Sequence, residues 1–438
     1  MKVINAYPTK QLFIDMLTRD ISLEAAILDL VDNSADGARR LRFDKSYEDL
    51  FINIEISDSA FIIRDNCGGI PIDVAEKYAF RFGRPEEAGI SSGSVGRFGV
   101  GMKRAIFKLG RHFLLESKTP NESFSTDVNI NKWATIPEWE FPFTTIDEKA
   151  KNPAKMVGTT ITITKLLDGP KNAFNLPTFA SEIIRSIKKY QNNSLRNKLH
   201  VSVNGKTVTS DPIELLSSPK LAPAEFNKQY RPKNSAPVNV LLYCGLGPST
   251  KVADAGWHVY CNSRLILKGD KTEITGWNSE GEDGTEIPSF HGQFNMVRGY
   301  AYFDSIDAAA LPWNTTKTGL NPDSDVFRSV RQEMIMLMRP LVDFCNRLKE
   351  EKEAETDRSG PLTKLVSEAE PEEIETIQTR AAFKIPSTVA AKTGPRLQKI
   401  AFDKPEKEAE KVKMHLDAKS WREVGEAVFD YYVSSEME

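Results

Sequence analysis

The sequence predicts an α+β protein, in which a mixed sheet with helices on one face precedes a second α/β domain and a helical tail. Three observations lead to this fold class. Apolar residues recur at helical spacing over 20–40, strand-like runs at 51–57 and 60–65 flank a turn, and a β-branched run follows at 158–166. The length agrees with more than one domain, because 438 residues exceed an ordinary single core.

The composition excludes several classes of protein. Hydrophobic residues make up 40% of the chain and charged residues 27%, which is typical of a soluble globular protein. No run of about eighteen apolar residues occurs, and the N-terminus lacks the apolar stretch of a signal peptide, so we expect a cytoplasmic protein without membrane contact. The four scattered cysteines indicate neither a zinc site nor a disulfide framework. A net charge of −3 argues against a surface that binds nucleic acid throughout, while local basic patches stay open.

The first domain is predicted at 1–170. Its helix over 20–40 begins at the N-cap Ser22, and the hairpin that follows ends in a glycine turn at 67–69. The segment 83–99 is rich in Gly and Ser and too polar to pack, so we predict a mobile lid there. The remaining elements are a short helix after the glycine turn, an apolar helix at 100–109 and strands at 110–118, 124–130 and 158–166.

The second domain is predicted at 171–350, where helical and strand-like patterns alternate. The charged stretch 351–375 then indicates a solvated linker. In the tail, 376–438, we expect a strand near 398–402 and one amphipathic helix over 405–433. The elements predicted for the second domain are a helix near 178–191, strands at 199–204, 238–243 and 296–303, and a long helix from 323 to 350.

The first group of candidate site residues is Asp29, Asn33 and Asp36. Helical spacings of four and three place these side chains on one strip of the helix. There Asn33 can offer an oxygen to Mg²⁺, and Asp29 can orient or deprotonate a water molecule, while Asp36 braces the site. The alternative is a solvated helix face.

The second group follows a strand, in the string Asp65-Asn66-Cys67-Gly68-Gly69. An aspartate at a strand end, with glycines that let a flat base approach, can accept a hydrogen bond from the adenine amino group. Guanine presents an acceptor at that position and is rejected. The alternative is an ordinary turn, because these residue types are common in turns.

The third group is a glycine string that opens a helix, where backbone N–H groups and the helix dipole can bind phosphate. The absence of a preceding strand excludes a Rossmann nucleotide site, and a Walker A loop is also absent. The residues of this string are Gly96, Arg97, Phe98, Gly99, Val100, Gly101, Met102 and Lys103.

Together and in this order, the three groups resemble the motifs of GHKL proteins, which include gyrase B, MutL, the ninety-kilodalton heat-shock chaperones, histidine kinases and MORC ATPases. The resemblance covers about 150 residues and implies a Bergerat-type two-layer α/β sandwich that binds ATP with Mg²⁺. Asn33, Asp65, Gly69 and the glycine string then belong to the nucleotide site. Gly158-Thr159-Thr160 is similar to the fourth family motif, and its implied role in holding adenine beside the aspartate is carried onto Thr160.

One departure from the family affects catalysis. The family's general base is usually glutamate, whereas this sequence has the shorter Asp29, which implies slow turnover. Glu24 is a poor substitute, because nine residues from Asn33 is about half a revolution of the helix. Cys67 stands where glycine is frequent, although Gly68 and Gly69 follow it.

The second domain resembles the transducer of gyrase B, MutL and MORC-like proteins, which extends a lysine to the γ-phosphate. Lys317, in the polar loop after the predicted strand 296–303, stands in the matching place. The alternative is a solvated loop lysine. The resemblance further implies an ATP-dependent homodimer, in which ATP orders the lid, and 1–15 is a candidate for an exchanged strap.

Three other functions stay open. A histidine kinase requires a phosphoacceptor histidine on a helix before the ATP fold, yet the first histidine is His112, inside it. A nucleotide-binding regulatory module with little hydrolysis is motivated by Asp29. A DNA- or protein-engaging clamp, in a prokaryotic defence or genome-maintenance system whose partner is encoded nearby, is implied by resemblance alone.

A basic stretch bears on the DNA-clamp hypothesis. Residues 183–210 carry six basic side chains and no acidic residue, which is typical either of a DNA contact or of a solvated helix face. The basic residues are Arg185, Lys188, Lys189, Arg196, Lys198 and Lys206.

Overall fold

The structure is a computed structural model that describes residues 9–42, 45–81, 100–233, 235–280, 286–314, 317–354, 360–384 and 403–437. The chain divides into two compact units, Met1–Val389 and Ala390–Glu438. The predicted lid at 83–99 and the predicted strand at 398–402 lie outside the described residues.

Helices and strands alternate along the described chain. The helices are α1 (Lys10–Arg19), α2 (Leu23–Leu41), α3 (Ile72–Val74), α4 (Gly101–Leu109), α5 (Ile130–Thr135), α6 (Asp168–Phe174), α7 (Phe179–Tyr190), α8 (Asn192–Arg196), α9 (Asp325–Ala354), α10 (Pro361–Ser367), α11 (Glu406–His415) and α12 (Trp421–Glu436). The π-helical turn Ala75–Ala79 extends α3. The strands are β1 (Phe51–Ile56), β2 (Ala60–Asp65), β3 (Gly110–Lys118), β4 (Ser123–Asn129), β5 (Thr145–Asp147), β6 (Gly158–Leu166), β7 (His200–Val203), β8 (Lys206–Thr207), β9 (Glu214–Ser217), β10 (Ala224–Tyr230), β11 (Val238–Leu246), β12 (Gly256–Cys261), β13 (Arg264–Asp270), β14 (Ser279–Glu280), β15 (Glu286–Ile287), β16 (Val297–Asp304) and β17 (Glu370–Glu373).

An eight-stranded sheet in the order β5-β4-β3-β6-β2-β1-β7-β8 forms the first layer. Neighbouring strands are antiparallel except β1 and β7, which run parallel, so the sheet is mixed as predicted. Alternate residues of β1 face opposite sides: Ile52 and Ile54 are buried in the core, whereas Glu55 is exposed. Helices such as α2 and α4 cover the buried side and make the second layer.

Helix α2 carries the first group of candidate site residues. Ser22 caps its N-terminus, because the Ser22 Oγ accepts a hydrogen bond from the Ala25 amide at 3.1 Å. The helix packs unusually close to the glycine turn after β2. A Cβ atom at Gly37 would lie 2.7 Å from the carbonyl oxygen of Cys67, so only glycine allows this contact.

The second layered structure is a five-stranded sheet in the order β10-β11-β16-β12-β13. The long helix α9 packs against it, and Phe327 and Phe344 are among its buried residues. Tyr260 and Tyr302 stack at 4.9 Å between ring centroids and contribute to a smaller apolar cluster with residues of β9. This architecture agrees with the predicted α/β character of the region.

The first hydrophobic core extends beyond the predicted boundary at residue 170. Strand β7 pairs in parallel with β1, and its Val201 and Val203 are fully buried in the first core, which continues to Val208. The core that contains the five-stranded sheet begins at Leu216. The boundary between the two cores therefore lies after Val208, because the first sheet needs β7 to cover β1.

The predicted linker at 351–375 is folded in the part that the structure describes. Helix α9 extends to Ala354, and Leu362 and Leu365 of α10 are buried in the second core. Strand β17 then pairs antiparallel with β9. The charged composition was misleading, because Glu353, Glu368 and Glu370 are exposed and Glu351 accepts hydrogen bonds from two backbone amides of α10.

Within 403–437, the described part of the C-terminal unit, there are two helices, α11 and α12, where the sequence predicted one helix over 405–433. The chain turns between them: Asp417 has a positive φ of 51°, and Ser420 caps α12 by accepting a hydrogen bond from the Glu423 amide. Within the described residues, no helix is both long and apolar enough to cross a membrane.

Candidate functional site

The carboxylate of Asp65 forms the centre of the site. Asp65 ends β2, and its oxygens accept hydrogen bonds from the Ser34 hydroxyl at 2.7 Å, the Cys67 amide at 2.8 Å and the Thr159 amide at 3.3 Å. Burial raises the pKa of Asp65, and these three hydrogen bonds oppose that rise. The side chain is thus a fixed acceptor between α2 and the start of β6.

Two glycines bring the backbone close to this carboxylate. Gly69 has a φ of 71°, and a Cβ atom there would lie 2.3 Å from the carbonyl oxygen of Lys118. Gly158 has a φ of 145°, and a Cβ atom would lie 1.9 Å from the carbonyl oxygen of Asp65. A side chain at Gly158 would force the start of β6 away from Asp65, and one at Gly69 would force the turn away from the end of β3.

The structure places Thr159, and not Thr160, on the same face of the sheet as Asp65. Thr160 pairs with Arg64 across β2 and β6, and paired residues of antiparallel strands project to the same side. That side is the outer one, where Thr160 and Arg64 line a groove of about 510 Å³. Asp65 lines the same groove as Thr160, so Thr160 stays a prediction, and Thr159, which alternation along β6 places on the buried side, is a second candidate.

Asn33 has an unsatisfied amide in the position predicted for a metal ligand. Its Nδ2 atom is buried and has no hydrogen-bond partner among the residues that the structure describes. An unpaired buried amide N–H group is costly, and it can donate to an oxygen of a ligand such as a phosphate, whereas a metal ion would bind the Oδ1 atom of the same side chain. No group of three or more His, Cys, Asp or Glu side chains in the described ranges is placed to hold a metal. A Mg²⁺ ion at Asn33 would therefore take most of its ligands from phosphate and water, as Mg²⁺ often does.

Asp29, the predicted base, is bound to an arginine of α4. Its Oδ2 atom accepts hydrogen bonds from Arg104 Nη2 at 2.5 Å and Nε at 3.2 Å. A Cβ atom at Gly101 would lie 3.5 Å from the Asp29 carboxyl carbon. The structure thus brings the first and third groups together at the start of α4. The sequence analysis missed Arg104, although it lies one residue beyond the glycine string.

The structure describes only the last four residues of the glycine string. Gly96, Arg97, Phe98 and Gly99 lie outside the described residues. Val100 caps α4 and is half-buried, and Met102 is buried. Lys103 is also buried, and its amino group donates to the carbonyl oxygen of Ala79 at 2.8 Å. Burial lowers the pKa of Lys103 to about 7. The lysine predicted to face phosphate thus lies under the turn Ala75–Ala79.

Lys317 reaches the first domain, but its immediate partner is a residue that the sequence analysis missed. The Lys317 amino group lies 3.3 Å from Asp32 Oδ2 on α2, and Lys317 has a φ of 56°. Asp32 also accepts hydrogen bonds from Arg264 of β13 and from Gln191 Nε2 at 2.8 Å. Asp32 lies three residues after Asp29 and four before Asp36, and this helical spacing could have identified it in the sequence.

Opposite charges stabilise the buried cluster of Asp32, Arg264 and Lys317. Burial raises the pKa of Asp32, but the Arg264 and Lys317 charges and the hydrogen bonds hold it below its usual value overall. Burial lowers the pKa of Lys317, but Asp32 and Asp36 raise it overall. Both shifts favour the ionised pair. Asp36 lines the same cavity as Lys317 and Arg264.

Three of the six basic side chains of 183–210 pair with acidic residues from elsewhere in the chain. Lys188 pairs with Asp211 at 2.6 Å, and Lys198 pairs with Glu48 at 3.3 Å. Arg196 contacts both Glu373 and Glu375. These ion pairs favour a structural role for the stretch over a DNA contact.

Residues 21–159 match the family model described as histidine kinase-, DNA gyrase B-, and HSP90-like ATPase. The matched range includes Asn33, Asp65 and the glycine string, and it ends at Thr159. No curated protein matches the chain in a sequence comparison.

Proposed function

We propose that this chain binds ATP with Mg²⁺ and hydrolyses it slowly to ADP and phosphate, since residues 21–159 match the family model described as histidine kinase-, DNA gyrase B-, and HSP90-like ATPase. The observation that carries the proposal is the buried Asp65 carboxylate, held by Ser34 and by the Thr159 amide. A fixed, buried acceptor at a strand end distinguishes bases by their hydrogen-bond donors. Adenine offers an amino group there, whereas guanine offers a carbonyl oxygen.

Asn33 is the residue that we assign to the metal. Its unsatisfied amide belongs to the strip of α2 that also carries Asp29. Bound Mg²⁺ supplies positive charge that neutralises the phosphates during transfer. The part of Asn33 is to fix the position of the metal-bound phosphates relative to Asp29.

We assign the role of general base to Asp29. Arg104 binds its Oδ2 atom, which fixes the orientation of the carboxylate and leaves Oδ1 as the oxygen that can accept a proton from water. The shorter side chain and the arginine partner both favour slow turnover. The alternative is a regulatory nucleotide-binding module with little hydrolysis, and phosphate release by the purified protein decides between them.

The response to ATP is proposed to involve three further parts of the chain. ATP would order the lid at 83–99, Lys317 would stabilise the phosphates, and two copies of the chain would then close as a homodimer. Lys103 would reach the phosphates only after its amino group leaves the Ala79 carbonyl oxygen. From residue 10 the N-terminal helix packs on its own chain, where the Lys10 amino group donates to the Trp133 carbonyl oxygen at 2.8 Å. Any exchanged strap is therefore confined to the residues before α1.

The pathway is proposed only in outline. A closing homodimer suits a clamp on DNA or on a protein partner, in a prokaryotic defence or genome-maintenance system. The ion pairs of 183–210 make a protein partner the better candidate. A histidine kinase is disfavoured, because His112 lies in strand β3 and not on a helix.

Calorimetry with Mg²⁺ tests the binding proposal. The wild-type protein should bind ATP at least tenfold more tightly than GTP, and Asp65→Ala should abolish that preference, since one charged hydrogen bond contributes about 1.5–3 kcal/mol. Glu116→Ala, on the outer face of the sheet, is the control. Equal affinity of the wild-type protein for both nucleotides would refute the assignment of Asp65.

A further inference from the structure

The cluster around Asp32 joins the ATPase domain to the second core through three side chains. Asp32 belongs to α2, Arg264 to β13, and Lys317 to the loop before α9. Only 2% of the Asp32 side chain is exposed. Such a buried carboxylate requires cationic partners, and here it has two.

We propose that Asp32 is the docking site of Lys317 in the nucleotide-free protein, and that Arg264 stays on Asp32 when Lys317 moves to the terminal phosphate of ATP. This inference rests on the proposed function and describes how the contact between Lys317 and the terminal phosphate is regulated. Asp32 and Arg264 act as positioning residues, since neither needs to contact the nucleotide.

The geometry makes Lys317 the weaker of the two cationic partners. Its amino group lies 3.3 Å from Asp32 Oδ2, which is beyond an ordinary charge-assisted hydrogen bond, whereas Arg264 bonds directly to Oδ1. Gln191 donates a further hydrogen bond to Oδ1 at 2.8 Å. Departure of Lys317 therefore leaves Asp32 with a cation and an amide donor.

The remaining contact between Asp32 and Arg264 is what allows Lys317 to leave Asp32. Removing the only partner of a buried charge is strongly unfavourable, because the charge is left uncompensated. With Arg264 in place, Lys317 can leave without creating such a charge. Arg264 also lies over the Tyr190 ring at 5.2 Å, a contact that does not involve Lys317.

Lys317 is also held where a second anion can attract it. Asp36 lines the same cavity, and both Asp36 and Asp29 lie near enough for their charges to act on the Lys317 amine. The loop presents Lys317 in a left-handed backbone conformation, with its amide bonded to the Asn314 carbonyl oxygen at 3.1 Å. The turn directs the lysine toward α2.

The terminal phosphate of ATP therefore competes with Asp32 for Lys317. ADP lacks the terminal phosphate and leaves Lys317 on Asp32. ATP must draw Lys317 away, so its apparent affinity is reduced by the fraction of molecules in which the lysine is docked. Weakening the docking site should therefore increase ATP affinity and leave ADP affinity unchanged.

The experiment measures the ratio of ATP to ADP affinity by calorimetry in a double-mutant cycle. Asp32→Asn should raise the ratio by on the order of tenfold, and the same change in a Lys317→Ala background should leave the ratio unaltered. Arg264→Gln should lower the ratio, because Lys317 is then the only cation on Asp32. Asp211→Asn, which breaks the surface pair with Lys188, is the matched control and should change nothing.

The outcomes separate this inference from the proposed function. If the wild-type protein binds no ATP, the proposed function fails. If ATP binds and Lys317→Ala lowers the ratio, but Asp32→Asn leaves it unchanged, only the docking role is overturned. If Lys317→Ala leaves the ratio unchanged, Lys317 senses no phosphate and the inference also falls. Should Asp32→Asn fail to fold, an unchanged or raised ratio in Arg264→Gln overturns the proposal by itself.

Discussion

Asp29 Oδ2 lies 2.5 Å from Arg104 Nη2, so the acid predicted to activate water already has a cationic partner on the helix that the glycine string opens. The pair connects α2 to α4. Arg104 thereby fixes one carboxylate oxygen of Asp29, so the ability of Asp29 to act as a base depends on the orientation of its carboxylate as well as on its charge.

Replacing Asp29 tests that role. Asp29→Asn keeps the shape of the side chain but removes the proton acceptor, so phosphate release should fall about 100-fold or more while ATP affinity changes less than about threefold. Glu24→Gln, on the same helix and bonded to Ser186, is the matched control and should retain hydrolysis. An Asp29→Asn protein that turns over at the wild-type rate would show that another group activates water.

The two threonines at the start of β6 allow a matched comparison. Thr159→Val and Thr160→Val each replace one hydroxyl by a methyl group in the same strand, but only Thr159 projects to the side of Asp65. Thr159→Val should weaken ATP binding by about threefold to tenfold, the effect of one neutral hydrogen bond, and Thr160→Val should leave it unchanged. The reverse result would place the nucleotide on the outer face.

A substitution at Gly158 should be far more damaging than one at Gly169. The Cβ of Gly158→Ala would lie 1.9 Å from the Asp65 carbonyl oxygen at a φ of 145°, so we expect a loss of about 3 kcal/mol or more in the free energy of unfolding. At Gly169, in α6, a Cβ would meet nothing within 4 Å, and alanine should raise stability by up to about 1 kcal/mol. Urea denaturation of both variants measures the difference.

His258 should make stability depend on pH. Burial lowers its pKa to about 4, well below the value of about 6.5 that it has when unfolded. Between about pH 4 and 6.5 the unfolded chain binds a proton at this histidine that the folded chain does not bind. The stability that neutral His258 contributes is therefore complete above about pH 6.5 and is lost as the pH falls toward 4.

The slope from this group should approach about 1.4 kcal/mol per pH unit within that window. His258→Phe keeps a ring stacked on Tyr300, which lies at 5.1 Å, but cannot be protonated. The variant should therefore lose less stability than the wild-type protein between pH 6.5 and 4.5 in urea titrations. Parallel curves for the two proteins would show that His258 is not a source of the dependence.

Local patterns in the sequence were sufficient for the elements that surround Asp65. The helical spacing after Ser22 and the paired runs before Asp65 each depend on neighbouring residues, and both elements are present in the structure. Side-chain alternation in β6 would also have placed Thr159 on the buried side of the sheet, because it alternates in step with the buried residues Ile161 and Ile163.

The rest of the site depends on contacts between distant parts of the chain. Arg264 lies 232 positions from Asp32, and no local period indicates their pairing. Strand β7 likewise joins the first sheet by pairing with β1, although strands β2 to β6 and helices α3 to α8 separate the two in sequence. The charged segment after α9 was misjudged, because its buried leucines gain their partners only in the tertiary fold.

The close approach of Gly37 to the Cys67 carbonyl oxygen has a mechanical consequence. With no side chain between them, α2 and the turn after β2 pack backbone against backbone, so a displacement of one is expected to move the other. A displacement of this pair would reach the second core through residues that contact α2, and Lys317, which lies 3.3 Å from Asp32, is one of them.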